Sequence, residues 1–321
     1  MRERLEQYQV LIYLAAILAG VAVGTHAPAM AEWLAAAIWP LLGALLYATF
    51  TQVPLIRLRA GLAKARFLAA AVLGNFVVIP LIVWGLVQGL PADPGLRLGV
   101  MLVLLLPCTD WFLSFTYLGG GDTPTAIAFT PLSLLLQLAL LPLYLWLFLG
   151  QAALAGLAQR ELLLAFGGLI LVPLALAFVT ECWVQGDPRR QRWVEALGWL
   201  PVPLLALVLF AVAAGQVGSL AASLGILGRV APLFVAFLAA AVLLARLLAA
   251  AFRLPVDQGR VLAFSFGSRN SFVVLPLALA LPAGFESAVV VVVLQSLVEL
   301  AGMLVFLQLV PRWLFPLCRS S

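Results

Sequence analysis

Three ionisable side chains lie deep inside apolar runs of this sequence, and they are where its chemistry is to be sought: Asp110, Arg269 and Glu299. A charge at mid-bilayer costs about 2.5–3.5 kcal/mol on insertion scales, so such groups face a cavity or one another. Asp110 belongs to Leu105-Leu106-Pro107-Cys108-Thr109-Asp110-Trp111, and Arg269 to Phe266-Gly267-Ser268-Arg269-Asn270-Ser271. Each stretch interrupts an apolar run at a corresponding place in its half of the chain. A pairing of Asp110 with Arg269 is therefore expected, because it would offset much of the desolvation of each. That pair is either a structural lock or part of a solute- or proton-binding site. Glu299 has no opposite charge near it in sequence. It is either a carboxyl that binds and releases a proton or a protonated packing residue bonded to a neighbouring serine. Cys108 is either a small packing residue or a thiolate ligand for a soft solute.

The elements that must position these groups follow from composition. Of 321 residues, 65% are hydrophobic and 10% charged, and the mean hydropathy is +1.16. Soluble domains carry roughly 25% charged residues, so the chain reads as an all-α integral membrane protein. Runs near 20 residues cross the ~30 Å hydrocarbon core as helices. Ten are expected, at about 8–25, 33–56, 67–90, 96–118, 123–149, 161–181, 194–217, 229–251, 257–281 and 285–310. The first is too long for a signal-peptide core and lacks a clean basic leader, so it is read as a span.

With the N-terminus inside, fourteen bases fall on the cytoplasmic side: Arg2, Arg4, Arg57, Arg59, Lys64, Arg66, Arg189, Arg190, Arg192, Arg246, Arg253, Arg260, Arg312 and Arg319. Arg97, Arg160 and Arg229 fall outside. This bias places both termini in the cytoplasm; the expected location is the plasma (inner) membrane. It also accounts for the +5 net charge without a nucleic-acid partner.

Residues 1–150 and 151–321 each hold five spans, with no soluble domain, and an odd number inverts the second set. The fourth and ninth spans carry the interruptions. The fifth and tenth each carry a mid-membrane polar residue, Gln137 and Glu299. Interrupted helices at matching places in inverted halves point to the substrate site of a secondary transporter, where unwound backbone lines a cavity.

Other chemistries find little support. Cys108, Cys182 and Cys318 are too far apart for a disulfide framework or a metal cluster, and no resident metal or cofactor is expected. No phosphate-binding Gly-rich loop with its lysine occurs, and the lone His26 leaves a hydrolase triad without a base. Gly119-Gly120-Gly121-Asp122 fits the Gly-x-Gly-Asp pattern of intramembrane aspartyl proteases, with Asp110 as a second carboxylate. Asp122, however, falls at the cytoplasmic end of a span, where it can cap the fifth helix ahead of Pro124, and that reading is preferred. Gly20–Gly24, Gly85–Gly89 and Gly95–Gly99 read as packing within the chain; a homo-oligomer stays open.

The stretch Pro107-Cys108-Thr109-Asp110-Trp111 through Gly121-Asp122, then Pro131-Leu132-Ser133 to Gln137, resembles the bile acid/sodium symporter superfamily. It most resembles that superfamily's arsenical-resistance branch of arsenite exporters. Ser268-Arg269-Asn270-Ser271 and Ser296-Leu297-Val298-Glu299 extend the likeness. The resemblance implies ten helices divided into panel and core domains, with the fourth and ninth broken and crossing. It implies Cys108 as the thiol for arsenite or antimonite and Glu299 as its accompanying carboxylate. The chain departs from exporters of this branch, which carry paired Asn and then Glu in the ninth span, at Arg269-Asn270 and Phe272; Pro107 replaces a basic residue.

The expected function is efflux of arsenite or antimonite in exchange for protons by alternating access. The alternative is a sodium- or proton-coupled carrier of an organic, bile-acid-like anion, for which Arg269 would supply the positive group. Candidate solute-binding residues are Cys108, Thr109, Asp110, Ser268, Arg269, Asn270 and Glu299; candidate ion-coupling residues are Asp110, Glu299, Gln137 and Ser133. The expected partners are a small anionic or metalloid solute, protons in preference to sodium, and the lipid bilayer.

Overall fold

The computed structural model describes residues 2–55, 64–156, 166–215, 217–282 and 284–316. Arg57, Arg59, Arg160 and Arg319, counted above for topology, and Cys318 lie outside the described residues. The helices are α1 (Arg2–His26), α2 (Pro28–Phe50), α3 (Ala65–Leu73), α4 (Ile79–Gln88), α5 (Pro94–Leu105), α6 (Trp111–Leu118) and α7 (Thr123–Gly156). They continue as α8 (Val172–Val184), α9 (Pro188–Leu197), α10 (Pro201–Gly215), α11 (Val217–Ala251), α12 (Val256–Gly267), α13 (Ser271–Leu279) and α14 (Glu286–Leu309). A π-helical turn, Gly74–Val78, joins α3 to α4.

Six helical stretches among the described residues are long and apolar enough to cross a membrane: Ala65–Gln88, Thr123–Tyr144, Phe166–Val184, Pro188–Gly215, Gly228–Ala251 and Glu286–Leu314. The protein is a multi-pass helical membrane protein. Leu11–His26, Ala36–Phe50 and Pro94–Leu105 are apolar but shorter. The fourth and ninth expected spans are each divided in two, α5 with α6 and α12 with α13, so neither piece has a full span's length.

Local chemistry sets where helices begin. Asp93 caps α5 by accepting from Leu96 N at 2.8 Å, with Pro94 in the first turn. Asp187 caps α9 in the same way through Arg189 N. Asp122 caps α7, accepting from Thr125 N at 3.1 Å. In all three, a carboxylate meets amides left open at the positive end of a helix.

The chain forms two compact units, and each draws on both sequence halves. One unit comprises Met1–Gln52, Leu157–Leu227 and Phe272–Val293. Within it α1 and α2 pack on α10, and α2 also on α8. Gly20 permits the closest approach, since a Cβ there would strike the Phe210 carbonyl and the Ala213 side chain. Tyr47 Oη and Thr180 Oγ1 share a hydrogen bond of 2.9 Å.

The other unit comprises Val53–Gly156, Gly228–Ser271 and Leu294–Ser321. Its centre is α12, nearly all of whose length is buried, packed among α3, α6 and α7. Gly74 makes room for the Phe266 ring, which a Cβ would overlap. The π-helical turn at Gly74 leaves Phe76 O as an acceptor for Tyr144 Oη at 2.6 Å. Arg260, counted above among cytoplasmic bases, is 4% exposed. Its guanidinium donates to the Gly119, Gly120 and Phe315 carbonyls.

Candidate functional site

The candidate site lies in the second unit, where the two interrupted segments meet. Pro107 forces the residue before it out of helical geometry, and Leu106 is extended at φ −98°, ψ 115°. At the end of α12, Ser268 is likewise extended at φ −93°, ψ 132°. The two short strips run antiparallel, with Pro107 bridged to Arg269. Cys108 N donates to Ser268 O at 3.1 Å, and Asn270 N to Leu106 O at 2.8 Å. Each break thus satisfies amides and carbonyls that the other's lost helical turn leaves open, a requirement where no water is at hand.

Arg269 fills the space beside this crossing and is 2% exposed. Its Nη2 donates to Asn75 Oδ1 at 2.9 Å and to the Ser265 and Phe266 carbonyls at 2.8 Å each. Its Nη1 donates to Leu104 O at 3.3 Å. The Phe237 ring covers the guanidinium, its centroid 5.4 Å from Cζ. The expected Asp110–Arg269 ion pair is therefore corrected: ion pairs among the described residues are Lys64–Asp122 and Arg190–Asp187. The physical reason is that broken helices present carbonyl dipoles directly to the guanidinium. Asp110 instead stands half-buried at the head of α6, its N–H 3.4 Å from Cys108 Sγ and its carbonyl accepting from Leu113 N.

Glu299, on α14, reaches the same crossing and is 1% exposed. Its Oε2 accepts from Arg269 N at 2.9 Å and from Gln295 Nε2 at 2.6 Å. Gln295 Oε1 in turn accepts from Ser271 Oγ at 3.0 Å. Glu299 Oε1 finds no hydrogen-bond partner among the described residues. Nor do Thr109 Oγ1, Ser133 Oγ, Gln137 Nε2 and Arg269 Nε. Gln137 Oε1 has a long contact, 3.5 Å, from Asn270 Nδ2. Buried polar atoms are normally satisfied, and Glu299 Oε1 and Arg269 Nε are exceptions that stand at the crossing itself. Among the described residues no group of three His, Cys, Asp or Glu side chains suitable for a metal occurs.

Cys108 is 3% exposed and Ser268 fully buried, the latter's Oγ 3.5 Å from Met303 Sδ. Sequence reasoning missed Asn75, Ser265 and Gln295. Asn75 is a polar side chain in the middle of the third apolar run, the same signal that singled out Gln137; it also donates to Ser265 Oγ at 3.0 Å. Gln295 stands four residues before Glu299, on the same helical face. Away from the crossing, Asp122 accepts from the Thr125 backbone N–H, as the helix-capping reading requires, and also from Lys64 and the Thr125 hydroxyl.

The sequence model of the Sodium Bile acid symporter family matches residues 39–223, more than half of the chain. The protein belongs to this family of membrane transporters. The match includes Cys108, Thr109, Asp110, Ser133 and Gln137, and ends before Arg269 and Glu299. No curated protein matches the chain.

Proposed function

We propose, with membership of the Sodium Bile acid symporter family as the premise, that this transporter exports trivalent arsenic or antimony in exchange for protons. The observation that carries the reading is the meeting of a thiol-bearing break with a buried carboxylate. Cys108 N is tied to Ser268, and the next residue, Arg269, is tied through its N–H to Glu299. Glu299 is the proton carrier, one oxygen held by two donors and the other without a partner. Cys108 takes the solute. An As–OH group and the Cys108 thiol would form an As–S bond and release water, with no change of oxidation state; hydrolysis reverses the step. Sulfur is the soft donor such a solute prefers. Thr109, Asp110, Ser268 and Asn270 flank the thiol, and Ser133 and Gln137 supply neutral polar groups for ion coupling.

The wider architecture belongs to the proposal. Ten spans form two inverted five-helix repeats, 1–150 and 151–321, divided as the family resemblance implies into a panel and a core domain. The core then rocks against the panel to expose the crossing to each side in turn, in an inner membrane with both chain termini cytoplasmic. The organic-anion alternative needs a positive group turned toward its solute, and Arg269 is committed to carbonyls and Asn75. The aspartyl-protease alternative loses Asp122 to helix capping and Lys64.

Everted vesicles test the reading. Arsenite should accumulate under a pH gradient and not under a sodium gradient alone. Cys108→Ser should abolish that flux with expression unchanged, whereas Cys182→Ser should leave it intact. Bile-acid uptake without arsenite flux, or full flux in Cys108→Ser, would overturn it.

A further inference from the structure

The acceptors around Arg269 share a chemical character. All four are neutral oxygens: the carbonyls of Leu104, Ser265 and Phe266, and the amide oxygen of Asn75. Leu104 belongs to the last turn of α5, and Ser265 and Phe266 to the last turn of α12. Carbonyls in the last turn of a helix have no helical partner and carry the negative end of its dipole. Two broken helices thus aim their negative ends at one buried point, and the π-helical turn adds Asn75 from a third direction. Convergent half-helix ends and unwound carbonyls are the arrangement that transporters use to hold a free cation. Rings of neutral oxygens do the same in channels, replacing an ion's hydration shell.

We infer that Arg269 is a tethered cation occupying an oxygen cage that would otherwise hold a free sodium ion. The guanidinium never leaves with the solute, so this position contributes a fixed charge rather than a transported one. Its placement separates two tasks at the crossing. Arg269 neutralises the helix ends permanently, and Glu299, joined to the Arg269 backbone amide rather than to its guanidinium, is left to change its protonation. The Phe237 ring over the guanidinium adds a cation–π contact that favours a charged occupant. The inference rests on the reading of an ion-coupled carrier and explains why protons rather than sodium drive it.

Thermal stability of the purified full-length protein in detergent tests the cage without reference to the solute. Melting curves are compared in sodium chloride and choline chloride at equal ionic strength. Wild type should melt at the same temperature in both. Arg269→Ala should melt lower in choline and recover progressively as sodium replaces it, because a ligand that binds only the folded state stabilises it by mass action. Arg269→Lys, which keeps a tethered charge, should ignore sodium. If Arg269→Ala is recovered folded only when extracted in sodium, the inference stands in its strongest form. Equal melting of Arg269→Ala in the two salts overturns it, as does a sodium response of wild type as large as the variant's. Aggregation of Arg269→Ala in both salts, with Arg269→Lys folded in both, also overturns it, since free sodium then cannot take the guanidinium's place. Loss of arsenite flux in vesicles would leave these melting results unchanged, so the inference and the solute assignment fail separately.

Discussion

Lys64 and Arg269 lie in the same compact unit, yet they are neutralised by different means. The Lys64 ammonium meets a carboxylate, Asp122, and its side chain is 46% exposed. The Arg269 guanidinium is 2% exposed and meets helix-end carbonyls and one amide. The difference follows from what each environment makes cheap. Near water, two opposite charges are each partly solvated and their pairing adds little, about 0–1 kcal/mol. In the interior, a second charge brings its own desolvation cost of several kcal/mol. Carbonyls opened by a broken helix must find donors there in any case, so one guanidinium satisfies several of them at once. The crossing thereby holds a positive charge while leaving Glu299 uncommitted to an ion pair.

The sharpest way to break this contrast is to remove Glu299. Glu299→Ala leaves Arg269 N and Gln295 Nε2 without their acceptor, and each buried donor so orphaned costs about 1–3 kcal/mol. A large fall in Tm is expected, together with loss of flux. Glu299→Gln keeps an acceptor oxygen and should hold the wild-type Tm to within a few degrees while abolishing flux driven by a pH gradient. Proton-driven flux in Glu299→Gln would remove Glu299 as the coupling group and leave it a packing residue.

A smaller effect is expected at Asn75, which is fully buried. Asn75→Leu removes one of the Arg269 acceptors and the donor to Ser265 Oγ, for a cost of about 1–3 kcal/mol measured by thermal or denaturant unfolding. Asn75→Asp sharpens the contrast further, because it converts the neutral cage into a buried version of the Lys64–Asp122 pair. The added negative charge should change the pH profile of Glu299-dependent transport, since both side chains meet Arg269. An unchanged pH profile in Asn75→Asp would mean that the cage and the carboxylate are electrically separate.

These residues also show what was legible in the sequence. Pro107 announced the first break, because proline acts on its neighbour's backbone, and the Gly267-Ser268 step announced the second. Asp122 was readable as a cap from its spacing to Pro124. Rarity of charge in an apolar run brought out Arg269 and Glu299, and both are buried at one crossing. The partner of Arg269 was misread for a definite reason. Matching the two interruptions pairs Arg269 with Asp110, but backbone carbonyls occur at every position and become available only where a helix stops in space. Asn75 and Gln295 carry the signal that singled out Gln137 and were overlooked because a neutral amide in an apolar run does not say which group it meets. Their roles depend on contacts 194 and 4 residues away, and only the second separation leaves a mark in local sequence. The division into two compact units, each drawing on both halves, likewise has no signature in hydropathy.

The smallest effect belongs to the Lys64–Asp122 contact, and its pH dependence distinguishes it from the crossing. Burial pushes the Asp122 carboxyl up, but hydrogen bonds from Lys64 and from the Thr125 hydroxyl and amide, with the Lys64 charge, outweigh it. The carboxyl is therefore held below its ordinary value of 3.8. A depressed carboxyl contributes stability that is complete above its unfolded-state value and is lost as pH falls through the lower folded-state value. Nothing should change between pH 8 and 5, and the loss should be confined to below about pH 4. Asp122→Asn keeps the cap, because asparagine caps a helix as well as aspartate does. It removes the charge together with the second acceptor oxygen, the one that meets Lys64 and the Thr125 hydroxyl, so its deficit at neutral pH should be about 1 kcal/mol, shrinking in high salt and in acid. Asp122→Ala should lose about 1 kcal/mol more with the cap, and that part should not vary with pH. The measurement is the Tm of the three proteins between pH 3 and 8, at low and high salt. A deficit in Asp122→Asn that grew on acidification, or that was indifferent to salt, would show Asp122 to be governed by burial, as the crossing is, and the contrast between the two sites would be lost.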